Sequence, residues 1–298
     1  MTLNAMTVDV EDYYQVSAFS KQIKKDDWGS FTSRVDLNTN HILDIFAKYK
    51  IKGTFFILGW VAEREQELIK KISDQGHEIG CHGYRHDLVY NQTRDIFSEE
   101  TQKSKRIIED VTGKAVNGYR AASYSITKKS IWAMDVLCEA GFKYDSSIFP
   151  IIHDRYGIPN AKTIPHVYNT ESGNRIIEFP LSTIGIGNKR MPISGGGYFR
   201  LFPYWLTQLG LRKINKSNLP FIFYMHPWEI DINQPKIKST LLSEFRHYNN
   251  IDKFEARLIS LINDFKFTTV SDVLQINGLW DAYNDNYSNI DPASDNIR

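Results

Sequence analysis

Two histidines four positions apart, in the run His82-Gly-Tyr-Arg-His86, carry the first chemical signal in the chain. On a helical turn, positions i and i+4 share one face, so both imidazoles would reach a single ion. With eight histidines in 298 residues such spacing also arises by chance, so placement decides its weight. The pair follows a short predicted strand at Glu78-Ile79, at the strand end where α/β sheets and barrels gather reactive groups. The second signal is Asp9-Val-Glu11-Asp12, which closes the apolar run Ala5 to Val10. Three carboxylates this close repel one another unless a cation or an arginine compensates; the plainer alternative is a solvated loop with capping acids. Two histidines with one of these carboxylates make a three-ligand set that leaves a position for water, and zinc is the natural ion. Such an ion brings the pKa of its water to about 7, so hydroxide is available at neutral pH.

Three more segments hold chemistry at predicted strand ends: Tyr119-Arg120-Ala-Ala-Ser-Tyr124, Tyr144-Asp145-Ser-Ser, and Phe223-Tyr-Met-His226-Pro-Trp228-Glu229. Arg120 can fix and orient a neighbouring carboxylate, although a surface ion pair is the commoner fate of a lone arginine. A lone histidine after an apolar strand is more often structural. His226 gains a catalytic reading if Asp145 orients its ring.

The elements that must position these groups alternate between short β-rich runs and helical patterns, as in βαβ units around a parallel sheet. Strands are predicted at Ala5 to Val10, Gly53 to Leu58, Val116 to Tyr119, from Tyr144, and at Phe221 to Met225. Helices are predicted at Asn38 to Tyr49, Glu63 to Gln75, Asp95 to Val111, Ser130 to Ala140, Pro203 to Lys213 and Phe254 to Phe265. The stretch His153 to Gly197, with four prolines and Gly195-Gly196-Gly197, reads as loops and short strands. Lys+Arg 36 against Asp+Glu 35 gives no electrostatic reason to expect nucleic acid or an anionic membrane. Two cysteines exclude a disulfide framework, and no apolar run is long enough to span a bilayer. The amino-terminal residues lack a basic region followed by an apolar one. The cytoplasm is therefore the expected address, with a peripheral position at the inner membrane as a variant. One domain is expected over residues 1–282, with core motifs in 7–226 and an extension over 227–282. The polar stretch 283–298 is expected to be a disordered tail.

In this order, the five segments resemble the polysaccharide deacetylases of carbohydrate esterase family 4, the NodB-homology domain. The stretches Gly53-Thr-Phe-Phe-Ile-Leu-Gly-Trp60, Gly76-His-Glu-Ile-Gly-Cys-His82, His153-Asp-Arg-Tyr-Gly157 and Gly195-Gly-Gly-Tyr-Phe199 resemble the subgroup associated with exopolysaccharide and exosortase systems. The resemblance implies an α/β fold, a distorted (β/α) barrel with about seven strands. It also implies removal of acetyl groups from an N-acetylated oligo- or polysaccharide, with water on a divalent metal, expected to be Zn2+, attacking the amide carbonyl. It makes Asp9 the base, His82 and His86 metal ligands, Arg120 the partner of the base, and Tyr124 the source of a backbone N–H for the oxyanion. Asp145 and His226 become the pair that protonates the leaving amine. Two positions depart from the family pattern. Val10 stands where its acidic ligand falls, so the third ligand is Glu11 or Asp12, and strand alternation puts Glu11 on the face of Asp9. Ala122 stands where the arginine motif carries proline. A small-molecule cyclic amidase and an inactive carbohydrate-binding module are the alternatives on the same fold. Oligomeric state is not legible.

Overall fold

The computed structural model describes residues 2–153, 155–187 and 189–285. Its strands are β1 (Leu3–Val10), β2 (Thr54–Ile57), β3 (Glu78–Cys81), β4 (Gly118–Tyr119), β5 (Tyr144–Asp145), β6 (His166–Asn169), β7 (Arg175–Glu178), β8 (Thr183–Ile186), β9 (Lys189–Pro192), β10 (Ile222–Met225) and β11 (Lys266–Thr268). Its α-helices are α1 (Val35–Tyr49), α2 (Gly59–Arg64), α3 (Gln66–Asp74), α4 (Arg94–Thr112), α5 (Ala133–Glu139), α6 (Gly196–Leu201), α7 (Tyr204–Lys216), α8 (Leu241–Tyr248), α9 (Phe254–Asp264), α10 (Val270–Ile276) and α11 (Leu279–Asp285).

A strand buried along nearly its whole length, as β1 is from Asn4 to Val10, must lie inside a sheet covered on both faces. β1 occupies that place. Parallel neighbours follow in the order β10-β1-β2-β3-β4-β5-β7, with β6 antiparallel on the outer edge and β11 added beside the start of β1. Seven parallel strands in series with helical crossovers make the distorted (β/α) barrel that the sequence implies. Among the described residues β7 and β10 share no ladder, and the chain between them closes the gap. Ile222 N–H donates to Ser182 Oγ (3.0 Å), Tyr224 N–H donates to the Ser194 carbonyl (2.8 Å), and Gly195 bridges Tyr224. A Cβ on Gly195, at φ 140°, would stand 1.9 Å from the Tyr224 carbonyl oxygen, so this closure requires glycine.

The helices follow their sequence signals with instructive exceptions. Thr93 caps α4 by accepting the Ile96 N–H, and Gly113 ends it in the left-handed region. The helix predicted over Glu63 to Gln75 is two helices, α2 and α3, broken at Glu65 and started earlier, at Gly59. The amino-terminal N–H groups of α2 are satisfied by the loop after β3: Gly59 donates to the Gly83 carbonyl (2.9 Å) and Trp60 to the Tyr84 carbonyl (3.0 Å). Residues 283–285, expected to open the tail, belong to α11, where Arg175 donates to the carbonyls of Ala282 and Tyr283. The rest of that expectation lies outside the described residues. No helix among the described residues is long and apolar enough to cross a membrane.

Asp12 belongs to this framework. Its Oδ2 accepts the backbone N–H groups of Arg34 (2.8 Å) and Val35 (3.1 Å) and the Ser33 hydroxyl (2.9 Å), while Oδ1 accepts the Tyr13 N–H (2.9 Å). A buried carboxylate on the first N–H groups of α1 completes that helix end, whose local residues provide no side-chain cap. Asp12→Ala is expected to lower the free energy of unfolding by about 2 kcal/mol, the penalty for stranding buried donors, as read by urea denaturation. A change within about 0.5 kcal/mol would show that α1 does not depend on this cap.

Candidate active site

Every chemically suggestive side chain lies at the carboxyl ends of the parallel strands, the rim where (β/α) barrels keep their chemistry. The alternation of β1 ends at Val10. Glu11 N–H then donates back to the Asp9 carbonyl (3.0 Å), a three-residue turn that leaves Asp9 and Glu11 both in the site while Asp12 departs toward α1. Trp228 Nε1 donates to Glu11 Oε1 (3.2 Å), and Glu11 Oε2 stands 2.9 Å from His86 Nε2.

The helical turn expected for His82 to His86 is absent. The segment is a loop, with Gly83 at φ 77° and His86 at φ 54°, because the carbonyls a helix would use are occupied by α2. A histidine held at positive φ is uncommon and is sustained by its surroundings. The two rings nevertheless converge, with centroids 5.4 Å apart. His82 Nδ1 is 2.8 Å from the Arg120 carbonyl, which can only accept, so this nitrogen carries the proton and Nε2 keeps its lone pair. Burial, foremost, lowers the His82 pKa to about 4, which keeps the ring neutral.

Arg120 is fully buried, and its guanidinium is used on every side. Nη1 donates to Asp9 Oδ1 and to Thr7 Oγ1 (both 2.7 Å), Nε to the Ser146 carbonyl (3.1 Å) and Nη2 to Ser146 Oγ (3.0 Å). Asp9 Oδ2 is left facing His226 Nε2 at 3.9 Å.

The expected link between Asp145 and His226 is not made. Asp145 accepts the Ser147 hydroxyl (2.6 Å) and N–H (2.9 Å), Ser147 Oγ accepts the Ala121 N–H (2.8 Å), and the aspartate thereby braces the loop that carries Arg120. The backbone N–H expected from Tyr124 is also committed elsewhere, to the Ala121 carbonyl (3.0 Å) in a tight turn with Ser123 and Tyr124 at positive φ. The group that orients His226 is one the sequence reading left without a role. Glu229 Oε2 lies 3.1 Å from His226 Nδ1 and accepts the His226 N–H (3.0 Å). Glu229 Oε1 accepts Arg200 Nε (2.7 Å), and the rest of that buried guanidinium satisfies the carbonyls of Arg246, His247 and Asn249 at the end of α8. Burial works against charge on His226. The Glu229 hydrogen bond, then Glu11 and Asp9, outweigh it and raise the pKa to about 9. Pro227 followed by Glu229, at the first and third positions after His226, is the capping-box pattern that could have shown this local bond. No local signal marks Arg200.

Glu11, His82 and His86 offer one ligand atom each within 4.8 Å of one another, all buried. Glu11 Oε2 lies 2.9 Å from His86 Nε2. Burial alone would raise the Glu11 pKa, but His86, by charge and hydrogen bond, and then His226 and His82 hold the carboxyl well below the usual range. A buried carboxylate and two imidazoles whose ligand atoms converge fit a divalent cation.

The structure sets a His/His/carboxylate cluster on the carboxyl rim of a seven-stranded (β/α) barrel. Residues 26–144 match the polysaccharide deacetylase family, and residues 146–275 match a domain of unknown function (DUF3473). The first match, over less than half of the chain, makes residues 26–144 similar to a polysaccharide deacetylase domain. Over 107 residues it is 36% identical to a peptidoglycan deacetylase of Helicobacter pylori, covering 36% of each chain. Over 81 residues it is 35% identical to a peptidoglycan-N-acetylmuramic acid deacetylase of Bacillus subtilis, covering 27% of this chain and 31% of that one. The matched stretch thus spans about a third of the length of these relatives. Two solved structures share the fold at low identity. One, described as a polysaccharide deacetylase from Mycobacterium smegmatis, has TM-score 0.58 and 19% identity over 92% of this chain and 88% of that one. The other is an allantoinase, with TM-score 0.60 and 14% identity over 92% and 89%. The site draws on three parts of the chain: Asp9 and Glu11 precede both matched segments, His82, His86 and Arg120 lie in the first, and Arg200, His226 and Glu229 in the second.

Beneath Arg120, Glu178 hydrogen-bonds Asp145, and its pKa is raised well above the ordinary 4.5, by burial first and by the aspartate charge second. A carboxyl raised in the folded state stabilises the fold fully below its unfolded pKa, and that contribution is lost as pH rises through the folded value. Glu178→Gln keeps a neutral donor at all pH. Its stability relative to the parent should therefore increase as the pH rises above the ordinary glutamate range. Parallel stability curves in urea melts above that range would contradict a shared proton.

Proposed function

We propose that this site hydrolyses the N-acetyl groups of an exported polysaccharide or its precursor, releasing acetate and leaving a free amine. The observation that carries the reading is the approach of Asp9 Oδ2 to His226 Nε2, 3.9 Å apart, beside the Glu11/His82/His86 cluster. That arrangement supplies a proton acceptor and a proton donor on either side of one small space, each fixed by its own buried arginine. The named activities of the curated relatives favour the same chemistry.

Glu11, His82 and His86 would hold the metal, with zinc the ion that suits two imidazoles and a carboxylate. When bound, such an ion supplies Lewis acidity and lowers the pKa of water to about 7. The protein groups do the rest. Arg120 holds Asp9 Oδ1, so Oδ2 takes the proton of the attacking water as its oxygen bonds to the acetyl carbon. Glu229 holds His226 Nδ1, so Nε2–H points into the site and delivers its proton to the amide nitrogen as the C–N bond breaks. The Glu229 hydrogen bond favours the charged imidazole, as an acid must be before it acts. Trp228 lies against the His226 ring (17° between planes) while its N–H fixes Glu11, which ties the acid to the ligand set.

Acetate release from N-acetylglucosamine oligomers, abolished by chelation and restored by zinc, is the direct test. Asp9→Asn should lower kcat by about 100- to 10,000-fold, the range for loss of a general base, with zinc stoichiometry unchanged. Loss of zinc from that variant would move Asp9 from base to ligand and overturn the assignment. Glu229→Gln should lower kcat roughly tenfold or more with little change in KM, since it acts on the acid and not on binding.

A further inference from the structure

Next to the catalytic cleft, and sharing Arg155, Tyr156, Gly197 and Tyr224 with it, is a second cavity of about 270 Å³. We propose that this cavity is a subsite for an anionic group, a carboxylate or a phosphate, carried by the substrate unit next to the N-acetyl sugar being hydrolysed. The proposal rests on the deacetylase reading for its catalytic neighbour, and on the cavity's own composition for its ligand.

Three observations carry it. Arg155 and Arg246 both line the cavity from exposed positions, and among the described residues neither guanidinium is paired with a carboxylate. Second, the wall is pre-set. His153 stacks on Tyr156 at 3.8 Å with 8° between planes, and Tyr156 stacks on Phe149 at 6°. The Tyr156 hydroxyl lies 3.4 Å from the Tyr198 hydroxyl. Those hydroxyls and two guanidiniums recognise a charged or polar substituent. Third, the volume lies just below the range of about 300–1,000 Å³ typical of small-ligand sites, enough for one sugar unit or its substituent and not for a longer chain. Because the lining is shared with the cleft, one saccharide can place an acetamido group at Asp9 and His226 and its neighbour's anion at the arginines.

The test compares three ligands on the full, zinc-loaded chain by calorimetry. They are a neutral N-acetylglucosamine tetramer, an oligomer alternating N-acetylglucosamine with glucuronate, and N-acetylglucosamine 1-phosphate. At least one anionic ligand should bind tenfold or more tightly than the neutral tetramer. Arg246→Ala, at an exposed position, should erase that advantage while leaving the neutral ligand within twofold. Preference for the glucuronate oligomer assigns a carboxylate, and preference for the phosphate assigns a phosphoryl group. Equal binding of all three, no binding of any, or an Arg246→Ala effect equal on neutral and anionic ligands overturns the proposal; Arg155→Ala gives a second reading on the same scale. Anion binding that depends on Arg246, with no acetate released from any ligand, would keep the subsite and reject the deacetylase reading.

Discussion

The buried pair between Arg120 and Asp9 is the constraint on which the rest of the site depends. A guanidinium with no solvent access is tolerated only when its nitrogens find acceptors, and its partner then cannot move without stranding a charge. Each nitrogen of Arg120 does so, on Thr7 and Asp9 of β1 and on Ser146 beyond β5, so it ties the first strand to the fifth. Its own carbonyl sets the tautomer of His82 at the end of β3. One residue thus fixes the orientation of the proposed base, the lone pair of a proposed ligand and the spacing of three strands. Asp145, through Ser147 and Ala121, holds the loop from which Arg120 projects, which gives the aspartate a structural task one step behind the chemistry.

A second buried arginine plays the same part on the opposite side. Arg200 unites α6, the end of α8 and Glu229, and Glu229 in turn fixes His226. The segment beyond the deacetylase match is therefore more than an appendage, since it contributes His226, the residue that orients it, and both Trp228 and the loop that closes the barrel against β10. The two arginines differ in what they face. Arg120 restrains a carboxylate directly, whereas Arg200 acts on the imidazole through an intervening carboxylate, leaving Nε2 as the exposed working atom.

Much of this was legible in the sequence where the signal is local. Buried strands with acids or histidines at their ends and the helix α4 follow from apolar runs and helical patterning, and the seven-strand architecture from the resemblance carried by the order of the five segments. The separation of Asp9, Glu11 and Asp12 was only half legible. Alternation along a strand favours Glu11, yet the strand has already ended there. What decides is that the first N–H groups of α1 capture Asp12, a contact across more than twenty residues of sequence. The loop form of His82 to His86 was hidden for a similar reason, because its carbonyls serve α2, which the sequence pattern started too late. Glu229, given no role from the sequence, stands where Asp145 was expected, against His226. Burial depth and partner choice for a carboxylate depend on packing between distant elements, and no spacing in one chain reports them.

The central claim is a division of labour among three neighbouring acids: Asp12 completes a helix, Glu11 faces the metal with the two histidines, and Asp9 stays on Arg120. The most direct measurement is anomalous diffraction at the zinc edge from crystals soaked in the ion. The account predicts a single peak about 2.0–2.2 Å from Glu11 Oε2 and from one nitrogen each of His82 and His86, with Asp9 Oδ1 still hydrogen-bonded to Arg120. A peak coordinated by Asp9 or Asp12 in place of Glu11 would contradict it.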